Sequence, residues 1–375
     1  MMALESSGGG VGRHVIDLCQ GLSRRGHRIV LAYSPLRAEA LFLSQLAELD
    51  AQVLPISMRR AVGPWDVVAA NELARVVKQQ GPFHIVHGHS SKAGALVRCI
   101  PTGSAKVVYT PHAFRSLDPE TSAVTRRGFI FVEKMLGLLT DALIAVSQAE
   151  LDFAVHHGIA PGRQRLVHNG IFHPPSTERD NVRRAMGLNA GNIVVGFVGR
   201  LTHQKAPDRF VSAMTHAFKG DSRIRAVMIG DGELRSQVLD QIAASGFSDR
   251  FMVLRGVDAK DYFSAMDLLM ITSRYEGFSY VMIEALAAGV PLISTPVGGI
   301  HEAIGDDNCG IIIDDFEQTS DLSRIVLSLA GREAQLETMK GNARLRAKLF
   351  TGDKMIAETE TVYQRIVPQP SAVLA

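Results

Sequence analysis

Residues 273–291 read Ser273-Arg274-Tyr275-Glu276-Gly277-Phe278-Ser279-Tyr280-Val281-Met282-Ile283-Glu284-Ala285-Leu286-Ala287-Ala288-Gly289-Val290-Pro291. Gly277 permits a positive φ and Ser279 is a favourable helix N-cap, so Glu276–Ser279 is predicted to be a loop. A helix-forming run follows, and Gly289-Val290-Pro291 ends it with a glycine and then a proline. Glu276 is thereby placed just before a helix N-terminus, where free N–H groups and the dipole favour an anion. Glu284 lies more than a turn further on, along the helix wall. One carboxylate can accept hydrogen bonds from hydroxyls beside a phosphate, and the other from a second polyol at a distance. Binding a sugar nucleotide requires both. A bare pair of glutamates at this spacing is usually just a solvated helix face, so the surrounding sequence has to decide.

Outward from this stretch, short β-branched runs alternate with amphipathic helical stretches, the pattern of parallel α/β sheets. Before it, strands are predicted at 28–33, 53–56, 85–87, 106–110, 142–146 and 165–167. Helices fall between them at 13–25, 64–79, 92–98, 121–139 and 150–156. The second half repeats the scheme, with strands at 193–198, 226–230, 251–254, 268–272 and 292–295. The chain has 375 residues, which suits two domains of roughly 150–190 residues each. The expected division is an N-terminal Rossmann-like domain at 1–171, a linker at 172–191 and a C-terminal Rossmann-like domain at 192–352. His173-Pro174-Pro175 breaks the pattern inside the linker. A last helix is expected at 353–367, followed by a disordered tail at 368–375.

Further candidate residues lie on predicted loops. Gly199-Arg200-Leu201-Thr202-His203-Gln204-Lys205 follows the first strand of the second half. An arginine fork and a lysine point charge in one βα loop can converge on a diphosphate, at the strand ends where such sheets bind ligands. Gly8-Gly9-Gly10-Val11-Gly12-Arg13-His14 opens the first helix, and glycines there let backbone approach a phosphate or a sugar. A tight structural turn is the other reading. A NAD site would want an acid at the end of the next strand, where Ala32-Tyr33-Ser34-Pro35 stands instead. Only Met1–Ser7 precede the glycines. Either 2–5 form a stub of the central strand, or an apolar strand of about five to six residues lies upstream of Met1.

The quoted stretch resembles the Glu-x7-Glu signature of retaining glycosyltransferases of the GT-B fold, in particular glycosyltransferase family four. Pro291-Leu292-Ile293-Ser294-Thr295-Pro296-Val297-Gly298-Gly299-Ile300-His301-Glu302 continues the resemblance, as does Gly-Arg-Leu…Lys at 199–205. The resemblance implies an α/β fold of two Rossmann-like domains facing a central cleft, with the last helix crossing back onto the first domain. It also implies transfer of a sugar from a nucleotide-diphosphate sugar, UDP- or GDP-linked, to a glycan or lipid-linked acceptor in surface-polysaccharide assembly. Arg200 and Lys205 would stabilise the leaving diphosphate, Glu276 would hold the transferred sugar and Glu284 the ribose. The backbone of Gly277, Phe278 and Ser279 would contact phosphate, and Arg255, Gly256 and Val257 would pin the base. Gly10 would lie near the donor phosphate or acceptor, and His112, in Thr110-Pro111-His112, near the transferred sugar. Val146-Ser147-Gln148-Ala149-Glu150 and His168-Asn169-Gly170 look like further family elements, although Asn169-Gly170 is equally a turn. Within enzymes the rival is a nucleotide-sugar 2-epimerase of the same fold. Outside them it is a non-catalytic sugar-nucleotide-binding subunit.

Composition narrows the field. Aromatics are 6% of residues and the basic residues are dispersed, which disfavours nucleic acid. The glycine loop lacks the Lys-Ser/Thr ending of a P-loop. No Asp-x-Asp occurs, and His84, His87 and His89 lack a second ligand cluster, so neither a metal nor another cofactor is expected. The three cysteines are expected to be buried free thiols. Apolar residues at 129–146 are interrupted by Glu133, Lys134 and Asp141, so no run reaches the ~18–20 needed to cross a bilayer. With no signal peptide visible, a cytoplasmic protein is expected. Residues 1–170 hold 18 Lys+Arg and 13 Asp+Glu, or +5, and the remainder 22 and 25, or −3. The basic first half, with Arg126-Arg127 ahead of an apolar helix, suits an anionic acceptor or peripheral contact with the inner face of a membrane.

Overall fold

The computed structural model describes residues 1–5, 7–175, 178–313 and 319–367; the expected tail at 368–375 lies outside them. The chain forms two compact units, Met1–Gly170 with Gly352–Ala375, and Ile171–Thr351. Each contains one wholly parallel sheet with helices in the connections, the α/β architecture expected from the alternating pattern.

In the first unit the strands are β1 (Met2–Leu4), β2 (Val30–Tyr33), β3 (Gln52–Pro55), β4 (Ile85–His89), β5 (Lys106–Thr110), β6 (Ala142–Ala145) and β7 (Gln164–Leu166). Their order in the sheet is β3-β2-β1-β4-β5-β6-β7. The short N-terminal stub is a true central strand, with Ala3 opposite Ala32 on one side and Gly88 on the other. Ala3, Val30, Ala32, Leu73, Val86 and Val97 build the core under one face. Helix Gly352–Ile366 returns to this unit and packs on helix Gly9–Arg24, where a Cβ at Gly21 would collide with Ile356. At the end of that contact, Arg25 and His27 both reach the Glu360 carboxylate at 2.7 Å.

The second unit orders its strands β10-β9-β8-β11-β12-β13, from β8 (Ile193–Val198), β9 (Ile224–Ile229), β10 (Phe251–Leu254), β11 (Leu268–Ile271), β12 (Leu292–Ser294) and β13 (Gly310–Ile312). Phe197, Phe210, Met214, Phe218 and Met228 dominate its core. Residues 172–191 contain a helix, Arg179–Ala185, whose arginines enter this unit. Arg179 and Lys340 reach one oxygen of the buried Asp267 carboxylate at 2.6 and 2.9 Å, and Arg183 the other at 3.3 Å. The Val194 N–H donates to that second oxygen at 2.9 Å. Burial pushes the Asp267 carboxyl up, but the cations and the N–H outweigh it and hold it below its ordinary range.

Two local expectations change. Cys19 and Cys309 are buried, whereas Cys99 is exposed at the end of its helix. Gly277 does not adopt a positive φ; the left-handed glycines in this region are Gly289, which ends the helix as expected, and Gly299.

Asp267→Ala would leave Arg179, Arg183 and Lys340 without their shared, largely buried carboxylate, so it should destabilise the second unit by about 3–5 kcal/mol. Thermal unfolding followed by circular dichroism checks this; an unchanged midpoint would show that the cluster contributes nothing.

Candidate functional site

The strand order of the second sheet reverses between β8 and β11, so the loops after these strands open side by side at its carboxyl edge, where such folds bind ligands. After β8 the chain passes through Gly199 and Arg200 into the turn His203–Lys205, then through Ala206 in a left-handed conformation at φ 49°. Thr272, just beyond β11, fixes that conformation. Its hydroxyl lies 2.9 Å from the carbonyl oxygens of both Lys205 and Ala206. The Arg274 N–H donates to Gln204 O at 2.8 Å, the Gln204 amide to Tyr275 O at 3.1 Å, and the Arg274 guanidinium to His203 O at 2.6 Å. The two loops are therefore one hydrogen-bonded body.

Lys205 and Glu276 meet at its centre. Nζ donates to Glu276 Oε1 at 2.5 Å, and the Ser273 hydroxyl donates to the same oxygen at 2.6 Å. Behind them the Gly298-Gly299 turn lies against the loop so closely that a Cβ at Gly298 would strike the Glu276 carbonyl, and one at Gly299 the Phe278 ring. Gly299, at φ 77°, also needs the conformation that glycine tolerates best.

Other predicted residues fall around this body. Arg200 is exposed and has no ion pair among the described residues. Glu284 is buried on helix Tyr280–Ala287, and Gly277 and Phe278 are buried. Ser279 stands at the N-cap, but its side chain makes no capping bond. Arg255, Gly256 and Val257 are exposed after β10, two strands across from β8.

The strand order of the first sheet reverses between β1 and β4. Its helix begins at Gly9, earlier than expected, so Gly10 is in the first helical turn rather than in a loop. The Glu39 carboxylate accepts from the Gly9 N–H at 3.0 Å, which puts an anion on this helix N-terminus. Past it stand four imidazoles. His14 Nδ1 donates to Asn169 Oδ1 at 3.0 Å, and His89 Nδ1 lies 3.1 Å from His112 Nε2. His87 contacts the Tyr363 and Thr110 hydroxyls at 2.6 and 2.8 Å. Burial pushes the His14 imidazole down to about 4, against the raising effect of Asn169. Burial first, and neighbouring imidazoles second, hold His87, His89 and His112 well below the usual range. The group is thus a neutral set of hydrogen-bond donors and acceptors, not of general acids.

Ligand nitrogens of His14, His89 and His112 lie within 4.8 Å of one another, so these three, rather than His84, His87 and His89, have metal-ligand spacing. They include no carboxylate, and His89 and His112 already bond each other.

Sequence reasoning gave no separate role to His14 or Glu150. The signal for His14 was its position one turn past the glycines, and for Glu150 the Ser-x-x-Glu spacing of a capping box. Glu150 does more than cap. Its oxygens accept from the Val146 N–H at 2.8 Å and the Ala113 N–H at 2.7 Å. The second bond ties down the unusual pair His112 and Ala113, at φ 55° and 86°. Burial raises the Glu150 carboxyl to about 7 against these two bonds.

Known proteins give the same architecture. Residues 8–172 match the glycosyltransferase family 4 sequences and residues 178–346 the glycosyl transferases group 1 sequences. The chain belongs to the family-four glycosyltransferases of the GT-B fold. A D-inositol 3-phosphate glycosyltransferase of Xylanimonas cellulosilytica is 25% identical over 95% of this chain and 91% of its own length. Another with that name, from Actinosynnema mirum, is 28% identical over 92% of this chain and 89% of its own. Among solved structures, Anabaena HepE in complex with UDP and glucose superposes with a TM-score of 0.81 at 20% identity, covering 97% of this chain and all (100%) of HepE. WaaG, a glycosyltransferase involved in lipopolysaccharide biosynthesis, gives 0.74 at 18% identity over 98% of this chain and 100% of its own.

Buried neutral, the histidine set should make the first unit acid-sensitive. An imidazole whose folded value is depressed stays neutral in the native state, while the unfolded chain protonates near ~6.5. Stability should therefore be lost as pH falls from about 6.5 towards about 4, the value for His14. Glu150 opposes this: its value is raised from 4.5 to about 7, so its contribution is present below 4.5 and lost as pH rises through 7. The imidazoles outnumber the single carboxyl, and the Met1 amine, which burial lowers from 8.0 to about 5, acts in the same direction as they do, so the net effect of acidification is destabilising. Unfolding midpoints measured between pH 7 and 5 should fall sharply on acidification; a flat profile would refute neutral burial.

Proposed function

We propose that this glycosyltransferase is retaining and metal-independent, and that it transfers a sugar from a UDP- or GDP-sugar to a glycan or lipid-linked acceptor in surface-polysaccharide assembly. The observation that carries the reading is the Lys205–Glu276 pair at the reversal of the second sheet, with the exposed Arg200 on the same loop and buried Glu284 along the following helix. Two cations at one strand end can neutralise a departing diphosphate, the electrostatic work that a metal would otherwise do. Glu276 is assigned to hydroxyls of the transferred sugar and Glu284 to the ribose. The Gly277–Ser279 backbone is assigned to phosphate, and Arg255–Val257 to the base. In the first unit we assign Gly10 to the donor phosphate or the acceptor, and His112, kept neutral by burial, to the transferred sugar.

The reaction breaks the bond between the anomeric carbon and the β-phosphate oxygen, and the acceptor oxygen bonds the same face of that carbon. The acceptor proton passes to the leaving phosphate, so no covalent nucleophile is needed. HepE, crystallised with UDP-glucose, lends weight to a UDP-sugar donor.

Transfer should run at full rate in EDTA. In that assay Lys205→Ala should lower kcat on the order of 10²–10³, because a charge aimed at the leaving group acts in the transition state. Glu284→Ala should instead raise KM with a smaller change in kcat, as expected of a uniform binding contact. A requirement for Mg²⁺ or Mn²⁺ would refute metal independence, and equal kcat losses with unchanged KM would refute the division of roles.

A further inference from the structure

Three imidazoles from three elements of the first unit converge near the carboxyl ends of its strands. His14 comes from helix Gly9–Arg24, His89 ends β4, and His112 stands in the loop after β5. One ligand nitrogen from each lies within 4.8 Å of the other two. Three atoms so spaced have a common centre no more than about 2.8 Å from each, against ~2.0–2.1 Å for a zinc–imidazole bond. Small rotations of the rings close that difference.

The 3.1 Å between His89 Nδ1 and His112 Nε2 fits two states. It is a hydrogen bond when one nitrogen carries a proton, and it is also near the ~3.3 Å that separates two ligands on a tetrahedral ion. Moving the proton to the other nitrogen of its ring converts the first state into the second without a change of charge. His89 Nε2 is buried and lacks a hydrogen-bond partner among the described residues, so hydrogen bonding alone does not account for that ring's place. Asn169 accepts from His14 Nδ1 at 3.0 Å, which fixes the tautomer whose Nε2 offers a lone pair, as outer partners do for metal-bound histidines. His112 and Ala113 have φ of 55° and 86°, and the Glu150 carboxylate ties this pair down through the Ala113 N–H at 2.7 Å. A non-glycine pair keeps such a conformation only where its surroundings over-determine it. His112 is the half-buried member of the three, so an ion can enter on its side.

The donor set selects the ion. Three imidazoles without a carboxylate suit zinc, copper or nickel, whereas magnesium and manganese want oxygen ligands. We propose that His14, His89 and His112 bind one divalent ion of the zinc class, and that the ion inhibits sugar transfer by taking the His112 nitrogen. The binding stands on the geometry alone; the inhibition rests on the assignment of His112 to the transferred sugar.

Equilibrium dialysis of the full chain against Zn²⁺, with the metal content of the protein measured, tests the site. The wild type should take up one ion that Mg²⁺ does not displace, and Co²⁺ in its place should give the visible absorption of a tetrahedral nitrogen site. His14→Gln and His112→Asn each remove a ligand, and asparagine tolerates the left-handed backbone at 112. Each should weaken Zn²⁺ binding by more than the about 10–100-fold expected of Asn169→Ala, which removes only the outer partner. Melting curves without metal check each fold, and His112→Asn, at the half-buried position, carries the test should His14→Gln not fold. Wild-type transfer should fall with Zn²⁺ and recover in EDTA, while the transfer left in His14→Gln should respond only at correspondingly higher zinc. A wild type that takes up no Zn²⁺, or retains Mg²⁺ equally, would overturn the site. So would binding undiminished in both histidine variants, or abolished instead by His156→Gln with His157→Gln, an adjacent pair elsewhere in the unit. Zinc bound at the three histidines with transfer unchanged would overturn the inhibition and the role given to His112, with the donor-site assignments untouched.

Discussion

The hydroxyl of Thr272 is the small contact on which the geometry of the second unit's strand-end loops depends. By holding the carbonyls of Lys205 and Ala206 at 2.9 Å it keeps Ala206 in a left-handed conformation, which a non-glycine residue adopts only when its surroundings over-determine it. That turn aims Lys205 back across the strand ends towards Glu276 instead of into solvent. Ser273 and the close Gly298-Gly299 turn then fix the carboxylate from the other side. A cation and an anion are thereby held ready, each neutralising the other in a largely buried place. Neither could be kept there alone without a large desolvation cost.

The first unit builds its sheet-reversal site differently. It gathers imidazoles instead of fixed charges, and burial keeps them neutral. A neutral polar wall suits hydroxyl groups, which need both donors and acceptors and gain little from a full charge. Glu150 governs the shape of that wall through the Ala113 N–H, and Glu39 covers the helix end beside it. The two units therefore share a topology and put different electrostatics at corresponding places.

Much of the fold was legible because parallel strands announce themselves in short β-branched runs. Ile193–Val198, Lys106–Thr110 and Phe251–Leu254 lie where the sequence puts them. Helices Ala40–Ala47 and Arg179–Ala185 escaped, the first short and the second hidden in a stretch whose prolines suggested a linker. Helix Gly9–Arg24 begins four residues before the sequence pattern places it, because glycines are poor helix formers; here the Glu39 carboxylate supports the first turn. At the site, residue types were readable and pairings were not. Lys205 and Glu276 are 71 residues apart in sequence, and nothing local says that they touch. Nor does the position of His14 reveal that it will face His89 and His112.

If Lys205 and Glu276 act as proposed, a diphosphate takes the lysine over from the glutamate. Calorimetric titration of UDP into the wild type and into Glu276→Gln, with turnover measured in parallel, tests it most directly. Neutralising the glutamate should free the lysine, so UDP should bind more tightly while sugar transfer slows. Weaker or unchanged UDP binding together with undiminished transfer would contradict the account.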